Sequence, residues 1–224
     1  METLTLPSHF PAAVRHVYLA QFENVQNGGA LKEALIQASR TPEGSEDRRR
    51  MDMAFIDARL IVSRRQLITA IVQAVIASER RCLRGEEPDA PIGLKTPSIH
   101  SDILWTLNPN NNIADALRRF GVSSTTRSLI LAHIAPPPPA GPRPEALMTH
   151  MQSLVDGQVR HEGVALDTND DHALTQMSLQ DTASPWKELG KVYKLQDTLA
   201  FQNRDAAAVE ELICATVATK YIGN

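Results

Sequence analysis

Apolar residues change their spacing several times along this chain, and each change predicts an element. From Val14 to Phe22 (VRHVYLAQF) apolar and polar positions partly alternate among β-formers, which predicts a strand. Asn27-Gly28-Gly29 reads as a turn and helix start, after which Leu31, Leu35 and Ala38 share one helical face. Phe55 to Val62 is the second predicted strand. Ser63 then caps a long helix, and Gln66 three residues later completes a capping box. Two adjoining apolar stripes run through that helix: Leu67, Ile71, Val75 and Ile68, Val72, Ile76. A surface helix needs only one stripe, so this one is expected to pack broadly, against a sheet and one neighbour. Arg80 and Arg81 in its last turn suit the helix dipole.

The most regular stretch is Asp102 to Ile134 (DILWTLNPNNNIADALRRFGVSSTTRSLILAHI). Ile103 to Leu107 is a compact, β-rich apolar run and predicts a third strand over 102–107. Pro109 ends it. Asn110, Asn111 and Asn112 follow, residues whose side chains suit turns and helix N-caps. Ile113, Ala116, Leu117 and Phe120 then form one helical stripe. Gly121 is placed for a left-handed helix stop, with Val122 against Leu117. Ser128 to Ile134 is the fourth predicted strand.

Beyond it, Pro136 to Pro139 predict a stiff surface loop rather than a ligand for a proline-recognising domain. Leu147, Met151 and Leu154 mark a helix ending near Gly157. Ser184 as N-cap and Pro185 at the first position start another, in which Trp186, Leu189, Val192 and Tyr193 share a face. A final helix begins near Asp205, with Val209, Leu212, Ile213, Thr216 and Val217 at helical spacing and an alanine-rich opposite side. These elements predict one α/β domain over 1–224, a mixed central sheet of about four or five strands (14–22, 55–62, 102–107, 128–134) flanked by helices. Loops are expected near 41–50, 84–97, 136–143 and 162–182.

Composition narrows the function classes. The 224 residues are 42% hydrophobic and 22% charged, as in ordinary globular domains. A formal charge of −3 and an aromatic content of 4% argue against a strongly basic nucleic-acid reader. Two cysteines, Cys82 and Cys214, do not make a disulfide framework and read as small packed thiols of a reducing compartment. The N-terminal residues have no signal-peptide pattern, and no apolar run approaches a membrane span.

Candidate chemistry is sparse. Gly28-Gly29 after a strand invites comparison with a phosphate loop, but neither GxGxxG nor GxxxxGK[ST] is present, and a turn is the better reading. Asp167, Asn169 and Asp171 match the start of a calcium loop, yet His172 holds the glycine position and Ser178 the closing glutamate position. Arg48 to Arg50, preceded by Glu43, Glu46 and Asp47, read as a solvated face. His16 and His133 fall in predicted strands as structural histidines, and Glu210 and Glu211 point to different sides of a helix. No GxSxG, HExxH or kinase motif occurs, so no catalytic, cofactor or metal residue is assigned.

The segment NPNNNIADALRRFGV followed by an apolar strand resembles the signature of the PRPK-binding protein family, the small regulatory subunit of the EKC/KEOPS complex, and points to a fungal relative. The likeness extends back through FIDARLIVSRRQLITAIVQAV and forward, more weakly, to KVYKL and the last helix. It implies a non-catalytic protein that binds the small lobe of a kinase-like atypical ATPase. That partner contacts the threonylcarbamoyl transferase, and the assembly modifies the adenosine beside the tRNA anticodon (t6A). In fungi the resemblance also implies telomere and transcription roles, in nucleus and cytoplasm. For the contact with the kinase-like subunit the two late helices supply Leu189, Val192, Tyr193, Val209, Leu212, Ile213, Thr216 and Val217. The alternative implied by the resemblance is recruitment of the tRNA 3′ end, for which Arg64, Arg65 and Lys95 are the available cations.

Overall fold

The computed structural model describes residues 1–79, 93–160 and 185–222, and these divide into two compact units. One takes the described residues of Met1–Ala58 with Gly121–Ala165. The other takes those of Arg59–Phe120 with Leu166–Asn224.

The first unit is built on a sheet of five strands: β1 (Glu2–Thr5), β2 (His16–Glu23), β3 (Ala54–Asp57), β4 (Leu129–Ala135) and β5 (Gln158–Val159), in spatial order β1-β2-β4-β3. β2 pairs along one edge with β4, from His16 opposite Ala135 to Phe22 opposite Leu129. Its other edge is shared: β1 covers His16 to Leu19, and β5 covers Phe22 and Glu23. All the pairings are antiparallel, where a mixed sheet was expected. The side chains of one face (Tyr18, Ala20, Phe22, Phe55, Leu129, Leu131) form a core with Leu31, Leu147 and Met151. These last three lie on α1 (Gly28–Arg40) and α6 (Pro144–Leu154). Gly28 is required by packing rather than by a ligand, because a Cβ there would lie 2.3 Å from the Ser123 carbonyl oxygen. The segment expected as a loop over 41–50 contains the short helix α2 (Glu46–Arg50), capped by the Ser45 hydroxyl.

The second unit is helical: α3 (Arg64–Ser78), α4 (Ile99–Leu107), α5 (Ile113–Phe120), α7 (Pro185–Val192), α8 (Leu199–Gln202) and α9 (Ala206–Ala218). The Ser63 hydroxyl caps α3 as expected, accepting from the Gln66 amide at 3.2 Å. Leu67, Ile71 and Val75 are buried where α3 packs against α4 and α9. Ile68 and Val72 are only half-buried and Ile76 is exposed; the second buried row is Gln66, Ala70, Ala74 and Ala77, so α3 packs broadly as expected but on two helices.

Residues 102–107, expected as a strand, belong to α4. The run is apolar on every side because the helix is buried on every side, Asp102 to Leu107 all being covered. Ser98 and Ser101 form a reciprocal capping box that starts it. Gly121 does not take a left-handed stop. It bridges Ile56 at the margin of the sheet, and Val122 joins the sheet core. Residues 58–60 of the second predicted strand form a 3-10 turn after β3. Arg80, Arg81, Cys82, most of 84–97, Asp167, Asn169, Asp171 and the Ser184 cap lie outside the described residues.

Candidate functional site

All eight side chains assigned to the kinase-like partner belong to the helical unit, and the structure sorts them into two groups. Leu189, Val192 and Tyr193 of the α7 region and Val209, Ile213 and Val217 of α9 are buried. These six sit in the unit's own interior, where the amphipathic stripes that contain them join α7 and α9 to it. Leu212, 39% exposed, and half-buried Thr216 remain at the surface.

Tyr193 shows what the buried group does. Its hydroxyl donates to the Leu107 carbonyl at 2.7 Å and accepts from Gln66 Nε2 at 2.8 Å, while Gln66 Oε1 accepts from the Val62 amide at 2.7 Å. Burial pushes the hydroxyl well above its ordinary pKa. Tyr193→Phe is expected to leave a buried acceptor and a buried donor unpaired and to cost about 1–3 kcal/mol. Urea unfolding monitored by circular dichroism measures it, and an unchanged midpoint would refute the role of the hydroxyl.

The cations proposed for RNA differ in their surroundings. Arg65 Nε lies 3.2 Å from Glu210 Oε1, tying α3 to α9. Arg64 is half-buried. Lys95 is exposed, and its backbone amide is held by Asp102 Oδ1 at 2.9 Å. Cys214 is buried, and burial pushes its thiol up despite the nearby Arg65 guanidinium, so it is a packed thiol. Among the described residues no group of His, Cys, Asp or Glu could hold a metal ion.

What the unit does present is apolar surface. Among the described residues, Ile76, Ile113, Leu117, Leu199, Leu212 and Ile222 are exposed large hydrophobics of the helical unit, against Ile36 alone in the sheet unit. Ile113 and Leu117, expected to pack, are therefore outward on α5, while Ala116 and Phe120 of the same stripe are buried.

The triple-asparagine segment is a hydrogen-bonded loop between α4 and α5. Asn110 Oδ1 accepts from Asn108 Nδ2 at 2.8 Å and from the Asn112 amide at 2.9 Å. Asn112 Oδ1 caps α5 by accepting from the Asp115 amide at 3.0 Å, as its type and position predict. Burial would raise the Asp115 carboxyl, but hydrogen bonds from Arg119, Asn110 and Arg118 outweigh it and lower its pKa to about 2.

Sequence reasoning missed the residues that close this loop. Lys220, just past α9 and only 5% exposed, donates to the Asn110 carbonyl at 2.7 Å and to Asn111 Oδ1 at 3.0 Å. Its ammonium lies 4.3 Å from the centre of the Trp105 ring. Tyr221 packs on Trp105 with ring centres 5.1 Å apart and donates its hydroxyl to Asp102 Oδ2. Asp102 Oδ1 meanwhile accepts the amides of Lys95 and Thr96 at 2.9 and 2.8 Å. The available signal was a lysine–tyrosine pair directly after a helix that ends at Ala218. The arrangement orders a loop; its ionisable groups are engaged in structural bonds.

Residues 22–221 match the family profile described as kinase binding protein CGI-121. Proteins named EKC/KEOPS complex subunit CGI121 are similar along most of their length. The one from Cryptococcus neoformans is 28% identical over 251 aligned positions, covering 100% of this chain and 99% of the relative. That of Neurospora crassa is 31% identical over 221, covering 94% and 90%. That of Gibberella zeae is 35% identical over 161, covering 70% and 71%.

Proposed function

The chain belongs to the CGI-121 kinase binding protein family, and from that premise we propose that it is the non-catalytic, kinase-binding subunit of a fungal EKC/KEOPS complex. It binds the small lobe of the kinase-like atypical ATPase subunit and through it modulates the threonylcarbamoyl transferase that forms t6A in tRNA. The observation that carries the reading is the concentration of exposed large hydrophobics on the helical unit, six of the seven among the described residues. Contiguous apolar patches mark partner sites, so exposed side chains of this kind are candidate contacts for the kinase-like subunit. Leu212 of α9, in the apolar stripe of the last helix and exposed, is the residue we assign to the contact.

A complex of ordinary size would cover roughly 800 Å² on each partner. The test is co-purification of this chain with the kinase-like EKC/KEOPS subunit of the same organism, followed by the rate of tRNA threonylcarbamoylation with and without the chain. A stoichiometric complex and a changed rate support the proposal. No association at micromolar concentrations overturns it. Recruitment of the tRNA 3′ end has less support, since Arg65, its best-placed cation, is already paired with Glu210.

A further inference from the structure

The end of α9 and the triple-asparagine loop are tied by contacts of four kinds that converge on two consecutive residues. The Lys220 ammonium reaches a backbone carbonyl and an amide oxygen of the loop at 2.7 and 3.0 Å and lies over the face of Trp105. The Tyr221 ring packs on the same indole, and its hydroxyl is bound by Asp102. The side chain of the next residue, Ile222, is 82% exposed, and its amide donates to the Thr219 carbonyl at 3.0 Å. On the other side, α9 ends at Ala218, and Thr219 closes it in a conformation that no longer continues the helix. The pair lies between a finished helix and a solvent-exposed residue, and its one backbone bond to α9 is the Lys220 amide donating to the Val217 carbonyl at 3.3 Å, so it can leave its seat at the loss of that bond alone.

The loop it holds depends on that seat. The Asn110 carbonyl and the Asn111 side chain face the ammonium, and Asn108 Oδ1, fully buried beneath them, finds no donor among the described residues. A loop with an unsatisfied interior acceptor gains less from staying closed than one whose polar groups are all paired.

We propose that Lys220 and Tyr221 form a C-terminal latch that opens locally, with α9 intact, and that its opening releases the Asn108–Asn112 loop and bares Trp105.

The latch carries its own pH signature. Seated, Lys220 has its pKa lowered by burial to about 8; released into water it returns to its ordinary value of 10.5. Opening between those two values therefore takes up a proton, and each rise of one pH unit disfavours opening by about tenfold. Below about pH 8 the ammonium is charged in both states and opening does not depend on pH. The titratable groups near it include Tyr221 itself, Asp102 of α4 reached through Tyr221, and Asp115 of α5 reached through Asn110. Burial, with the bond to Asp102 adding to it, holds the Tyr221 hydroxyl well above its ordinary pKa. Once released, Tyr221 would begin to ionise near pH 10, which limits the clean window to about pH 8–9.5.

Millisecond hydrogen-exchange mass spectrometry on the full chain tests this, comparing peptides over 105–112 with peptides over 209–217. The expected result is a loop protection factor that is flat from pH 7 to 8 and then climbs about tenfold per pH unit to pH 9.5. Protection in α9 should stay higher throughout. Lys220→Met should abolish the slope. Tyr221→Phe should lower loop protection and keep the slope. A flat wild-type profile, a slope that survives in Lys220→Met, or equal protection of loop and α9 would each overturn the latch.

Discussion

Leu212→Glu is expected to abolish co-purification with the kinase-like subunit while the chain stays folded. The side chain is 39% exposed in the free chain, so a carboxylate placed there remains hydrated until a partner covers it. On association the charge would be desolvated without a counter-ion, a situation that costs about 3–5 kcal/mol, or about two to three orders of magnitude or more in affinity. Stability should hardly change, since exposed substitutions away from special features stay within about 0.5 kcal/mol. Calorimetric titration against the purified partner, beside thermal melts of both variants, separates the two effects. Wild-type affinity in a folded Leu212→Glu variant would remove α9 from the interface and leave α3 through Ile76 and α5 through Leu117 as the surfaces to examine.

The adjacent substitution should behave in the opposite way. Ile213 is fully buried beside Val209 and Val217, at the seam where α9 packs on α3. Ile213→Glu puts a carboxylate into that seam. An unpaired buried charge costs about 3–5 kcal/mol, and lost apolar burial adds about 1.5–3 kcal/mol. Against the total stability of about 5–15 kcal/mol of a typical domain, this should unfold the helical unit or drop its melting temperature steeply. Near-ultraviolet circular dichroism reports it through Trp105 and Trp186, both buried in the unit. A cooperative melt at the wild-type temperature would mean that α9 is not packed as described. One residue apart, the two glutamates therefore distinguish a surface that meets a partner from a surface that builds the protein.

Most of this fold was legible in the sequence where a local signal and the packing agree. Ser63, Asn112 before Ile113, and Asp205 before α9 each announce a helix start and make the cap their type predicts, although Gln66 does not close the expected box on Ser63 and gives its Oε1 to the Val62 amide. The strands around Val17–Phe22 and Leu129–Ile134 were legible for the same reason: both are long, β-rich and central in the sheet. α4 was not, because a helix buried on all sides and a buried strand present the same short apolar run. Ser98 and Ser101 were the overlooked clue, a capping box with serine in place of the usual glutamate. β1 and β5 were missed since four and two residues carry too little pattern, and their register comes from β2 rather than from themselves.

The eight residues assigned to the partner divide into buried and exposed members of the same stripes. Helical periodicity identifies the apolar stripe of α9, but the stripe is what the chain's own interior consumes. The members left at the surface are Leu212 and, in part, Thr216, at its margin. Periodicity cannot rank members of one stripe by exposure; that depends on where α3 lies. The Lys220–Tyr221 anchor was invisible for a further reason: it joins positions 102–111 to 220–221, and nothing local to either segment predicts the other.

The interleaving of the two units bears on how the protein is made. β2 pairs with β4, whose first residue, Leu129, lies more than a hundred positions after Phe22, and β3 pairs with β4 as well. While the ribosome is still translating the helices between them, the sheet has only the β1–β2 hairpin, and an isolated hairpin is marginal in water. The apolar residues of β2 and β3 must wait unpaired through that interval, and α9, which seals α3, is translated last of all the described helices. A nascent chain with so late a closing step exposes β-rich segments to its neighbours for most of its synthesis, so its yield in the cell should depend on holding chaperones more than its final stability would suggest.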